Sequence, residues 1–165
     1  VSKMLHAIGD FERLGDHALN LMKVAREIRD KEIQFTEDAY KELHVLTDAI
    51  REILELTSRA YIENDLTLAA QVEPLEQVID GLTSRIRGNH IERLRTGNCT
   101  IEMGFILSDL LTNYERISDH CSNVAVAVIE VEHNSFDTHK YLNGVKYGNS
   151  TFNEIYDAYS EKYVL

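Results

Sequence analysis

A chain of 165 residues in which 44% are hydrophobic has the length of one domain and enough apolar content to bury a core, which excludes the intrinsically disordered class. Its 17 Lys+Arg against 28 Asp+Glu leave a net charge of -11 and a pI near 5.0; such a surface repels phosphate backbones and anionic lipid heads, so nucleic acid and membrane surfaces are poor partners for it. Two cysteines, Cys99 and Cys121, make neither a secreted disulfide framework nor a CxxC zinc signature, and two reduced thiols are expected. No basic-then-apolar leader opens the chain. The longest useful uncharged stretch, Cys121 to Ile129, falls far short of the roughly 20 residues a bilayer span needs, so these residues are expected to be soluble. Because Val1 already stands inside a helical pattern, the chain is expected to be a piece of something larger.

One proline and eight glycines supply little punctuation, and long helices follow. From Met4 to Ile28, apolar residues recur at Leu5, Ile8, Phe11, Leu14, Ala18, Leu21, Val24 and Ile28, the three-and-four spacing of an amphipathic helix. A break over 30–34 precedes Thr36, an N-cap followed by Glu37 and Asp38. The second helix runs to about Asn64 on Leu43, Leu46, Ile50, Ile53, Leu54 and Tyr61. Asp65 caps a third, which ends near Thr96 and buries Leu68, Val72, Leu75, Ile79, Leu82, Ile86 and Leu94, with Gly97 as its stop and a kink expected at Pro74. The fourth, from about Thr100 to Glu132, has little polar relief and is expected to be the most buried. No run alternates with period two, so the class is all-α, an antiparallel bundle of four long helices over 1–133. After it, 134–165 holds five of the eight tyrosines and reads as a docked tail with short helices over 138–145 and 151–162.

Two ten-residue stretches match: FERLGDHALN, Phe11 to Asn20, and YERISDHCSN, Tyr114 to Asn123. They are 103 residues apart and share Glu, Arg, Asp, His and Asn. That offset suits a three-helix unit, so the chain reads as the last helix of one unit followed by a complete second unit. Glu12, Asp16 and Asn20 fall at i, i+4, i+8, each turned about 40° from the last at roughly 6 Å per step, and Glu115, Asp119 and Asn123 do the same. Stacked carboxylates repel, and a sequence that repeats the arrangement invites a cation as counterweight. Arg13 and Arg116 point about 100° away from each Glu and do not neutralise it. A third acidic set, Glu73, Glu76 and Asp80 in EPLEQVID, shares one face of the third helix. Asp80 lies 17 residues from Gly97 and Glu115 lies 18, so in an antiparallel hairpin they stand at one height, where a metal or an arginine is required.

These stretches resemble the E(D)xxxD metal motifs of PhoU domains. The run 72–130 and the tail resemble the PhoU-like domain at the C-terminus of bacterial sodium/phosphate cotransporter family proteins. The resemblance implies paired three-helix bundles that can carry iron or zinc clusters, other divalent metals being open, and a role in phosphate transport or its control. By motif position it implies Glu12, Asp16, Glu115 and Asp119 as metal ligands, with Glu76 and Asp80 next. Asn20, Asn123, Glu73, His17 and His120 are further donor or rim candidates. The first unit, reduced to one helix, lacks its own EPLEQVID partner, so a cluster on Glu12 and Asp16 is incomplete or needs a second chain. The resemblance also implies a membrane-embedded transporter portion as partner, phosphate reached through metal, a homo-oligomer, and a place on the cytoplasmic face of the inner (plasma) membrane.

Enzymatic readings find little support. A di-iron oxidase needs Glu-x-x-His on two helices, and the one match, Glu130 with His133, stands alone. There is no GxSxG, no glycine-rich phosphate cradle, and no readable base for either cysteine. His17 and His120 are rotated about 100° off the acidic stripe and are expected to bond a neighbouring helix. The expectation is a non-enzymatic, metal-binding regulatory domain; the alternative is a metal-free acidic helical module for interaction or oligomerisation.

Overall fold

The computed structural model describes residues 2–132 and 150–165, which form five helices and, among the described residues, no strand. They are α1 (Ser2–Asp30), α2 (Glu37–Glu63), α3 (Leu66–Arg95), α4 (Ile101–Glu132) and α5 (Ser150–Lys162). The all-α class and the four long helices agree with the periodicity. The short helix expected over 138–145 lies outside the described residues.

The helix ends follow local chemistry. Ala39 N–H donates to Thr36 Oγ1 at 3.3 Å, and Asp65 Oδ1 accepts from the Thr67 and Leu68 N–H groups at 2.8 and 3.1 Å. Such caps are each worth about 1 kcal/mol. Asn64 ends α2 in the left-handed region at φ 52°, and Gly97 turns the chain after α3 at φ 76°. Thr100 Oγ1 accepts from Met103 N–H at the head of α4. Helix α3 continues through Pro74, which is buried.

Packing is that of a bundle. Helix α1 lies on α4; α2 contacts α3 and α4; α3 also packs against α4 and α5. The centre of the molecule is therefore shared by α3 and α4, where the sequence pattern favours α4 alone. Leu46, Ile53, Leu75, Ile79, Ile86, Leu107 and Leu111 are fully enclosed. In α1 the apolar positions divide: Leu14, Leu21, Val24 and Ile28 join the core, while Leu5, Ile8 and Ala18 are exposed. A single-period reading merges these two faces, because helix geometry alone does not say which has a partner. Helix α5 docks on α3, Tyr159 Oη donating to Gln71 Oε1, and Tyr163 and Lys162 both reach Glu52.

Candidate functional site

The α3–α4 hairpin sets the register of the acidic face. Ser122 Oγ donates to Glu73 Oε2 at 2.5 Å; the two residues stand 25 and 24 positions from Gly97, so the helices run level as their spacing predicts. One and a half to two turns nearer Gly97, Asp80 faces Glu115 and Asp119. Partial burial, and then the charges of Glu115 and Asp119, push the Asp80 carboxyl above its ordinary range, with Arg87 pulling the other way. Three carboxylates from two helices thus share one field. Glu76 is half-buried on the same helix.

Arginine supplies the present counter-charge. Arg87 donates to Glu115 Oε2 at 2.7 Å and Arg116 to Asp119 Oδ2 at 3.2 Å. Arg116 misses its neighbour Glu115 and pairs instead with Asp119, one turn on. Both pairs are substantially open to water, so each is worth about 1 kcal/mol at most. Among the described residues no three His, Cys, Asp or Glu side chains are gathered closely enough to hold a metal ion. The donor chemistry suits a hard cation, but a cation there needs Glu115 and Asp119 released from their arginines.

The first copy of the motif is placed differently. Glu12 and Asp16 are exposed on α1, and Asn20 Oδ1 accepts only a long bond from Lys23 Nζ at 3.5 Å. The two histidines and Asn123 turn to the α1–α4 contact. His17 Nδ1–H donates to Asn113 Oδ1 at 2.9 Å, and His120 Nδ1–H to Asp10 Oδ1 at 2.8 Å, with Asn123 Nδ2 adding a bond to Asp10 at 3.2 Å. The imidazoles stack with centroids 5.6 Å apart. His17 and His120 are equivalent in the repeat, and so are Asp10 and Asn113 at the same offset of 103. The α1–α4 contact is therefore a pseudo-two-fold pair: each helix offers a histidine to the polar residue seven positions earlier on the other. Sequence reasoning missed Asp10 and Asn113, which stand just before the ten-residue match and differ as Asp and Asn; aligning one position further would have found them. His17, His120 and Asn123 thus each make a hydrogen bond across the α1–α4 contact.

A helical bundle built on a duplicated acidic helix, with a pseudo-two-fold relation between the copies, defines a class of helical-repeat domain. The family model described as PhoU domain matches residues 43–128, a little over half of the chain, and the chain belongs to the PhoU family. It is 28% identical over 139 residues to the Thermotoga maritima phosphate-specific transport system accessory protein PhoU homolog 1, covering 84% of this chain and 59% of that protein. The corresponding homolog of Borreliella burgdorferi is 24% identical over 125 residues, 73% of this chain and 55% of that protein. That of Clostridium acetobutylicum is 24% identical over 122 residues, covering 74% and 54%. The chain thus spans little more than half the length of these relatives, whose names describe accessory proteins of phosphate transport. No solved structure matches it. No described helix is long and apolar enough to cross a membrane.

Proposed function

We propose that this chain is a regulatory domain of phosphate uptake, working at the cytoplasmic face of the inner membrane on the membrane-embedded part of a sodium-dependent phosphate transporter. Membership of the PhoU family and the accessory role in the relatives' names support the phosphate part of this reading. The likeness of 72–130 and the tail to the end of sodium/phosphate cotransporter family proteins supports the transporter part. In this reading Asp80, Glu115 and Asp119 hold a cation, iron or zinc first, with Glu76 in reserve on the same face; Glu12 and Asp16 offer a second, weaker pair. A cation held by these carboxylates would supply positive charge to which phosphate could bind. The observation that carries the metal reading is the level placement of Asp80 on α3 beside Glu115 and Asp119 on α4, where three carboxylates from two helices act on one another.

The decisive measurement is metal content per chain by plasma mass spectrometry, on protein purified without a metal-affinity tag. Wild type is expected to retain stoichiometric metal, and the Glu115→Ala, Asp119→Ala double variant to lose it roughly tenfold or more. Arg87→Ala is expected to tighten binding, because it removes the cation that competes for Glu115. No metal in wild type after reconstitution favours the second reading, a metal-free acidic module, which the Arg87–Glu115 and Arg116–Asp119 pairs support. The transporter role is tested separately: deleting these residues from the full-length protein is expected to change sodium-dependent phosphate uptake or its response to phosphate, and unchanged uptake counts against it.

A further inference from the structure

A groove of about 830 Å³, within the size range of small-molecule sites, runs along the first three turns of α2 and the last three of α3. It lies on two helices of the complete unit, whereas α1 packs on α4. Its charge runs against that of the chain. Lys41, Arg85 and Arg93 stand against Asp38 and Glu42, a positive excess on a molecule of net charge -11. Glu42 is already satisfied by Arg93 and Asn89, so it offers an incoming anion little repulsion. Lys41 holds Glu37 at 2.8 Å and Asp38 at 3.9 Å in pairs open to water, which are weak and readily exchanged. Arg85 is exposed, and among the described residues it forms no hydrogen bond or ion pair. Its five N–H donors are open to a ligand.

The two helices bring these cations to one place. Counted from the turn at Asn64 and Asp65, Lys41 and Gly88 each stand 24 residues away, and Arg85 is one turn from Gly88, roughly 5 Å along the axis. A Cβ added at Gly88 would meet nothing within 4 Å, so the groove is open between them. An ammonium on one wall and a guanidinium fork on the other match the two charges and three free oxygens of a phosphate monoester; a carboxylate would occupy only the fork. Val45, Val164 and Leu165 add apolar lining for an organic body, and Asp38 adds an acceptor for its hydroxyl or amine groups. We propose that this groove binds a small organic phosphate, with the phosphate between Arg85 and Lys41 and the organic body on Val45, Val164 and Leu165. None of these residues belongs to the acidic face of α3 and α4, so the site is independent of bound metal.

Isothermal titration calorimetry of this chain in chelator, with phenyl phosphate, adenosine monophosphate and inorganic phosphate as probes, tests this. At least one of the two organic phosphates is expected to bind with a Kd on the order of 100 μM, about tenfold or more tighter than inorganic phosphate. Arg85→Glu is expected to weaken that binding roughly tenfold or more at unchanged melting temperature, because Arg85 is exposed and unpaired. Arg26→Glu, the same change of charge on an exposed residue of α1, is expected to leave it within about twofold. Gly88→Met fills the groove without altering charge and favours the helix, so binding is expected to weaken about tenfold in a chain at least as stable. If neither organic phosphate binds below about 1 mM, the proposal is overturned. Inorganic phosphate binding as tightly as both also overturns it, and identifies the free anion as the ligand. Equal losses in Arg85→Glu and Arg26→Glu overturn it as well, by reducing the effect to overall charge. Metal content, measured separately, decides the metal reading whichever of these results is found.

Discussion

Gly104 and His90 show how closely α3 and α4 meet. A Cβ added at Gly104 would lie 2.9 Å from His90 Nε2, an atom that is buried without a hydrogen-bond partner. Gly104→Ala must push the ring or the helix aside, and a loss of about 1–3 kcal/mol in urea unfolding is expected. His90 also sets a pH dependence. Burial, and then the charge of Arg93, hold its pKa below the ordinary 6.5. Below pH 6.5 the unfolded chain therefore takes up a proton that the folded chain refuses, so this contribution to stability is lost as pH falls through that window. Melting temperature is expected to fall between pH 7 and 5, and less so in His90→Gln. Asp80 acts with the opposite sign: its raised pKa lets the folded chain bind its proton earlier than the unfolded one, which relieves repulsion as pH falls. The Cys121 thiol, pushed up to about 12 by burial, is expected to stay inert to alkylating reagents in the native state.

Between elements, the buried charge that matters joins α2 to α3. Arg93 donates through Nη1 and Nη2 to the two oxygens of Glu42 at 3.0 and 2.8 Å, and Asn89 adds a bond at 2.8 Å; the side chains are only 13% and 11% exposed. Glu42→Ala leaves a guanidinium enclosed without its partner and is expected to cost about 3 kcal/mol. Melting temperature should then fall by several degrees. Glu37→Ala, which breaks an exposed pair with Lys41, is expected to change stability by less than about 0.5 kcal/mol. Spacing did not distinguish these two glutamates, five positions apart on one helix, because exposure is a property of what packs against the helix. Helix identity was legible for the converse reason: caps at Thr36 and Asp65 and apolar repeats three and four apart are local facts. The level placement of Asp80 with Glu115 was legible too, since counting from the Gly97 turn fixes the register of an antiparallel hairpin. That Arg87, seven residues beyond Asp80, closes onto Glu115 was not, because a long side chain reaches across two turns in a direction the count does not give.

For the whole molecule, a net charge of -11 on a bundle of this size is a standing self-repulsion. Raising NaCl from about 20 to 300 mM shortens the Debye length severalfold, and a melting temperature higher by a few degrees is expected by calorimetry. Loss of stability with salt would mean that the surface ion pairs outweigh the repulsion. Read by itself, the chain determined its helices, their order, the duplicated acidic motif and the family it resembles, because each of these is written in local chemistry or in spacing along one chain. Only the tertiary structure decided how the motif's residues divide. His17, His120 and Asn123 turn to the α1–α4 contact; Glu115 and Asp119 stay with Asp80 and take arginine partners; Glu12 and Asp16 are exposed. The reason is geometric: i, i+4, i+8 spacing places residues on one stripe of one helix, but which stripe meets a neighbour depends on every other helix in the bundle.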